Sequence, residues 1–107
     1  MQLWEIFVPT VRSNGKPYKL RFHKVWDQKV KDLVGGLSVL PKIKGYWLSP
    51  KQELFVEEMI PIRIMCSEEQ IENIVIMSLD YYEQEGIMYY LVTNDVRIKY
   101  SKVSENL

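Results

Sequence analysis

Six basic side chains, Arg12, Lys16, Lys19, Arg21, His23 and Lys24, fall within thirteen residues that contain no acid. Two rings, Tyr18 and Phe22, are interleaved with them. Guanidinium and ammonium groups beside aromatic faces suit a phosphate with a flat base stacked next to it. The run also leads into an expected helix, whose free N-terminal amides favour an anion. The competing reading is a solvated loop whose charges keep it in water. A second group is Lys42-Ile43-Lys44-Gly45-Tyr46-Trp47. Glycine there permits close backbone approach, and the two rings offer faces for stacking. The competing reading is a bulged strand with Trp47 in the core. Third is Arg63, alone among isoleucines in mid-strand. It calls for a partner, with Glu5 and Glu57 as candidates. It reads equally as a clamp for an anionic ligand or as an inter-subunit ion pair. The candidate ligand-binding set is therefore Arg12, Lys16, Lys19, Arg21, His23, Tyr46, Trp47 and Arg63.

Other chemistry lacks its parts. There is one histidine, His23, and one cysteine, Cys66. That excludes a two-histidine phosphoesterase, an internal disulfide framework and a multi-cysteine zinc site. Neither a phosphate-binding G-x-x-x-x-G-K loop nor a dinucleotide fingerprint occurs. Glu57-Glu58 and Asp80-Tyr81-Tyr82-Glu83 supply carboxylates and phenols, but nothing lifts them above surface residues. No catalytic residue, metal site or cofactor is assigned.

The elements that must position these residues come from pattern. The chain has 107 residues, 47% hydrophobic and 26% charged, which fits one globular domain over residues 1–100 and a polar tail over 101–107. No apolar run reaches membrane-spanning length and no signal-peptide pattern opens the chain, so no membrane partner and a cytoplasmic setting are expected. Residues 1–51 carry ten Lys/Arg and three Asp/Glu, net +7; residues 52–107 carry four and eleven, net −7. The whole chain is neutral, which argues against nucleic acid as a partner.

Alternation predicts a strand over 3–11, with Trp4, Ile6 and Val8 on one face. The spacing of Phe22, Trp26, Val30, Leu33 and Val34 predicts a helix over 22–34, ended by Gly35-Gly36. A strand over 37–48, broken or bulged near Pro41, is joined by a short turn to a strand over 54–65. Ser67-Glu68-Glu69-Gln70 is a capping box that opens a second helix, with Ile71, Ile74, Val75, Leu79 and Tyr82 inward. A fourth strand follows over 87–92, and a short ribbon over 96–100 is expected to extend the sheet. Strand, helix, strand, strand, helix, strand is the repeated split β-α-β unit. The expected fold is thus α+β and ferredoxin-like, a four-stranded antiparallel sheet with two helices on one face. Its other face would carry Leu3, Phe7, Met59 and Met65 with either Met88, Tyr90 and Val92 or Tyr89 and Leu91, too apolar to stay wet. Self-association through that face is expected, a homodimer before a higher oligomer, unless the tail or the ribbon covers it.

Three segments carry a resemblance: Val34-Gly35-Gly36-Leu37-Ser38-Val39-Leu40-Pro41, Lys44-Gly45-Tyr46-Trp47-Leu48-Ser49-Pro50 and Glu58-Met59-Ile60-Pro61-Ile62-Arg63-Ile64. The chain resembles a family of small uncharacterised proteins found in bacteria, phages and prophages. The resemblance covers about a third of the chain, with further likeness at Tyr81-Tyr82 and Met88-Tyr89-Tyr90. It implies no activity and transfers no catalytic residue. A phage setting implies counter-defence, by taking up a host signal or blocking a host protein. The functional expectation is a non-enzymatic oligomer that holds a small anionic ligand, a nucleotide among the candidates, at a subunit interface. The alternatives are a protein-binding inhibitor or adaptor, and a small dimeric ferredoxin-like enzyme.

Overall fold

A computed structural model describes residues 1–102; residues 103–107, most of the expected polar tail, lie outside the described residues. The elements are β1 (Leu3–Pro9), α1 (Leu20–Val34), β2 (Ser38–Val39), β3 (Ile43–Leu48), β4 (Leu54–Met65), α2 (Glu68–Tyr81) and β5 (Tyr89–Thr93). β4 is the spine. It pairs antiparallel with β1 over Met59 to Met65, with β2 at Ile62 and Arg63, and with β3 over Leu54 to Met59. β5 pairs antiparallel with β1 on the far side. This is the ferredoxin-like arrangement expected from sequence.

The sheet has five strands where four were expected. The extra strand comes from splitting 37–48 at Pro41. Val39 lies opposite Ile62 and Ile43 opposite Met59, so three residues, 40–42, face two, 60–61. That is a one-residue bulge. It also explains a proline in a central strand. The Pro61 carbonyl accepts from the Leu40 amide at 2.9 Å. Carbonyl and amide nitrogen of one strand residue point the same way, so the missing Pro61 N–H falls on the bulge and β1 loses no bond. The ribbon expected over 96–100 is not a strand. The Val96 amide instead donates to the Met1 carbonyl at 3.2 Å.

One sheet face carries the core. Ile6 and Val8 from β1, Ile62 and Ile64 from β4, Trp26 and Val30 from α1, and Ile71, Ile74 and Val75 from α2 are buried together. Leu33, expected inward, is exposed; the α1 stripe follows Phe22, Trp26, Val30 and Val34 at four-residue steps instead. The indole N–H of Trp26 donates to Ser78 Oγ at 2.9 Å, and Ser78 Oγ donates to the Ile74 carbonyl at 2.6 Å, so a buried polar pair is satisfied. The capping box is present in full. Ser67 Oγ accepts from the Gln70 amide at 3.1 Å, and Gln70 Oε1 accepts from the Ser67 amide at 2.9 Å.

Candidate functional site

The basic loop folds as a tight turn. The Arg12 amide donates to the Lys16 carbonyl at 2.8 Å, the Gly15 amide to the Arg12 carbonyl at 2.9 Å, and Asn14 Oδ1 accepts from the Lys16 amide at 3.0 Å. Gly15 has φ +82°, which its missing Cβ permits. The interleaved rings are already occupied. Tyr18 is buried and its hydroxyl donates to the Tyr82 carbonyl at 2.6 Å. Tyr18 stacks on Phe22 at 4.8 Å between centroids, and Phe22 stacks on Tyr81 at 4.2 Å. Arg12 lies over Tyr18 and Phe22, 4.5 and 5.1 Å from the ring centroids. These rings hold the turn to the end of α2 and leave no face for a base. Lys16, Lys19 and Arg21 are exposed.

His23 sits behind the cluster, its Nδ1 2.8 Å from the Tyr82 hydroxyl. Burial pulls the imidazole below its usual value, against a smaller upward pull from Asp27. Burial pushes the Tyr82 phenol up. The phenol therefore keeps its proton and the imidazole stays neutral, with the direction of their hydrogen bond set by the imidazole tautomer. An unfolded His23 takes a proton near 6.5, while the folded one resists. The resulting stability is complete above that value and falls as pH drops below it. Urea midpoints between about pH 7 and pH 5 should fall for the native chain and flatten for His23→Asn; parallel slopes would dismiss this coupling.

Tyr46 and Trp47 lie outside the core, on an arm. β1 stops at Pro9, but β4 runs on with only β3 beside it. Residues 43–58 thus form a two-stranded hairpin, closed by a turn in which the Ser49 amide donates to the Glu53 carbonyl at 2.9 Å and Gln52 takes φ 65°. Ile43, Trp47, Phe55 and Met59 share the side continuous with the open sheet face; Tyr46, Leu48, Leu54 and Val56 share the other. Trp47 stacks on Phe55 at 4.6 Å yet remains 47% exposed, with Tyr46 at 66% and Leu54 at 63%. The core position considered for Trp47 is not the one observed.

Arg63 has its partner within the chain. Arg63, Glu5 and Tyr90 lie side by side across β4, β1 and β5 on the open face. Arg63 Nε donates to Glu5 Oε1 at 2.8 Å, and the Tyr90 hydroxyl donates to Glu5 Oε2. Glu5 is only 5% exposed. Burial pushes its carboxyl up, but the hydrogen bonds from Tyr90 and Arg63 and the Arg63 charge outweigh this and leave it below its usual value. Glu5 was legible as a candidate partner, since it alternates onto the face of Arg63. For the last strand the sequence leaves open whether Tyr90 or Tyr89 shares this face; the register Glu5 opposite Tyr90, set beside a bulge between Leu3 and Trp4, puts Tyr90 there.

Two grooves divide the candidate residues. The larger, about 780 Å³, lies where the arm leaves the domain and takes in Arg12 and Trp47. Its charged lining is Glu57, Glu58, Glu83 and Glu85 against Arg12 alone, a balance that disfavours an anion. The smaller, about 450 Å³, takes in Arg63 with Leu3, Leu37, Ser38 and Met65 and the end of α1. Lys16, Lys19, Arg21, His23 and Tyr46 line neither. Among the described residues no cluster of three metal-ligating side chains forms, and no helix is long and apolar enough to cross a membrane.

No family model and no curated protein matches the sequence. Solved structures match the fold. A phage SAM lyase in complex with S-methyl-5'-thioadenosine aligns with TM-score 0.65 at 14% identity, over 84% of this chain and 78% of that one. The periplasmic divalent cation tolerance protein CutA from Archaeoglobus fulgidus aligns with TM-score 0.66 at 9% identity, over 92% and 87%. The PII-like protein CutA from Nostoc aligns with TM-score 0.59 at 14% identity, over 89% and 82%. At these identities the likeness is one of fold, and it places the chain among ferredoxin-like α+β structures.

Proposed function

We propose that the chain is a non-enzymatic, self-assembling binding protein that holds a small ligand with an anionic group where one copy meets the next. The observation that carries this is the arm, which leaves its own domain with apolar side chains exposed on both sides. Six of them, Tyr46, Trp47, Leu48, Leu54, Phe55 and Val56, are exposed. Each is worth roughly 1.5–3 kcal/mol when fully buried. Even half that burial, from an arm given and an arm received, is comparable with the association cost of about 4–15 kcal/mol. The apolar open face of a neighbouring copy, with Leu3, Met59 and Met65, is the surface such an arm suits. An arm laid there carries ring faces toward Arg63, the cation with a fixed direction. The phage lyase of the same fold holds a small molecule, S-methyl-5'-thioadenosine.

Native mass spectrometry before and after mild denaturation tests the reading. An oligomer that releases a small molecule bearing a phosphate or carboxylate is the expected result. An empty monomer overturns it. That outcome favours the second reading, an inhibitor or adaptor whose arm docks on a different protein, for which the same exposed side chains serve.

A further inference from the structure

The Arg63 groove has a feature that a simple anion site does not need. α1 ends at Val34, and its C-cap Gly35, in the left-handed conformation at φ 92°, returns one bond, from its amide to the Lys31 carbonyl at 2.7 Å. No donor among the described residues reaches the carbonyls of Val34, Gly35 or Gly36. The last carbonyls of a helix carry partial negative charge and await donors. Val34, Gly35 and Gly36 line the same groove as Arg63. The guanidinium is held through Nε by a buried carboxylate that is itself held by Tyr90. Both Nη atoms are left without a partner among the described residues, and two parallel N–H groups match a carboxylate. The groove therefore offers a cationic fork, acceptors of the opposite polarity, and apolar walls from Leu3, Leu37 and Met65.

We propose that this groove binds the zwitterionic end of an α-amino acid, with the ligand carboxylate on Arg63, its ammonium on the open carbonyls at the end of α1, and its side chain against Leu3, Leu37 and Met65. Glu5 is a positioning residue: it touches Arg63 and not the ligand. The inference names the ligand class for the binding half of the proposed function, on which it rests, and is independent of the assembly half.

L-Leucine is the probe, set against its two halves: 4-methylpentanoate, which lacks the ammonium, and 3-methylbutylamine, which lacks the carboxylate. Calorimetry and backbone-amide NMR on the full chain provide the readout. Leucine is expected to bind and to move the amides of residues 35–38, and each half-ligand to bind far more weakly. Arg63→Gln should weaken leucine binding about 10- to 100-fold, with Arg63→Lys recovering part of the loss. The wild-type comparison stands even if a variant folds poorly. Absence of leucine binding, shifts confined to other residues, or a half-ligand that binds as well as leucine each overturn the proposal. A monomer that binds leucine fails the assembly reading and keeps this one. An oligomer that releases another small molecule and ignores leucine does the reverse.

Discussion

A chain carrying Trp47→Glu and Phe55→Glu is expected to be monomeric and folded. The two side chains stack on one side of the arm, opposite each other on β3 and β4, beyond the point where β1 ends. Neither belongs to the buried core. Substitutions away from core features usually change stability by less than about 0.5 kcal/mol, so the domain should survive. The interface should not, because two carboxylates would enter an apolar contact without partners. Light scattering should show the loss of the larger species. A second readout separates assembly from fold. If copies stabilise one another, the urea midpoint of the native chain rises with protein concentration, and that of the variant does not. An oligomer of unchanged size would remove the arm from the assembly.

The second large effect lies in the core. Trp26→Ala is expected to cost about 3–5 kcal/mol, much of the roughly 5–15 kcal/mol that a domain of this kind has. The ring is fully buried between the helices, near Tyr82, and its N–H is the donor to Ser78. Truncation leaves a large cavity and takes that donor from a buried hydroxyl. Trp26→Phe should cost much less, since a ring remains and Ser78 still donates to the Ile74 carbonyl. Urea unfolding followed by circular dichroism orders the three chains. A loss below about 1 kcal/mol for the alanine variant would mean that the site collapses around the gap.

Residue order revealed what is decided locally. The Ser67 cap depends on side chains three positions apart, and β4 was legible over its full length because Ile60, Ile62 and Ile64 alternate and Arg63 marks the other face. The break at Pro41 was visible for the same kind of reason, a missing donor. What escaped depends on distant partners. Tyr18 and Phe22 look available beside the basic loop, but Tyr81 and Tyr82, about sixty residues away, occupy them. Tyr46 and Trp47 look like core or site residues, and only the early end of β1 leaves them on an arm. Arg12 and Arg63 carry the same charge, yet four carboxylates surround the first groove and a single buried one orients the second. Charge counted along the chain could not separate them.

The two prolines at the bulge divide the chain into regions under different constraint. From Met59 to Met65, β4 is wedged between neighbours, and Ile60, Ile62 and Ile64 answer to the packing of the core. Before Met59 it answers only to β3 and to whatever lies against the arm. Substitutions there can accumulate without disturbing the domain, because the bulge absorbs a shift in β3 before it reaches β2. A lineage built on this scaffold can therefore change the company it keeps while inheriting the same core.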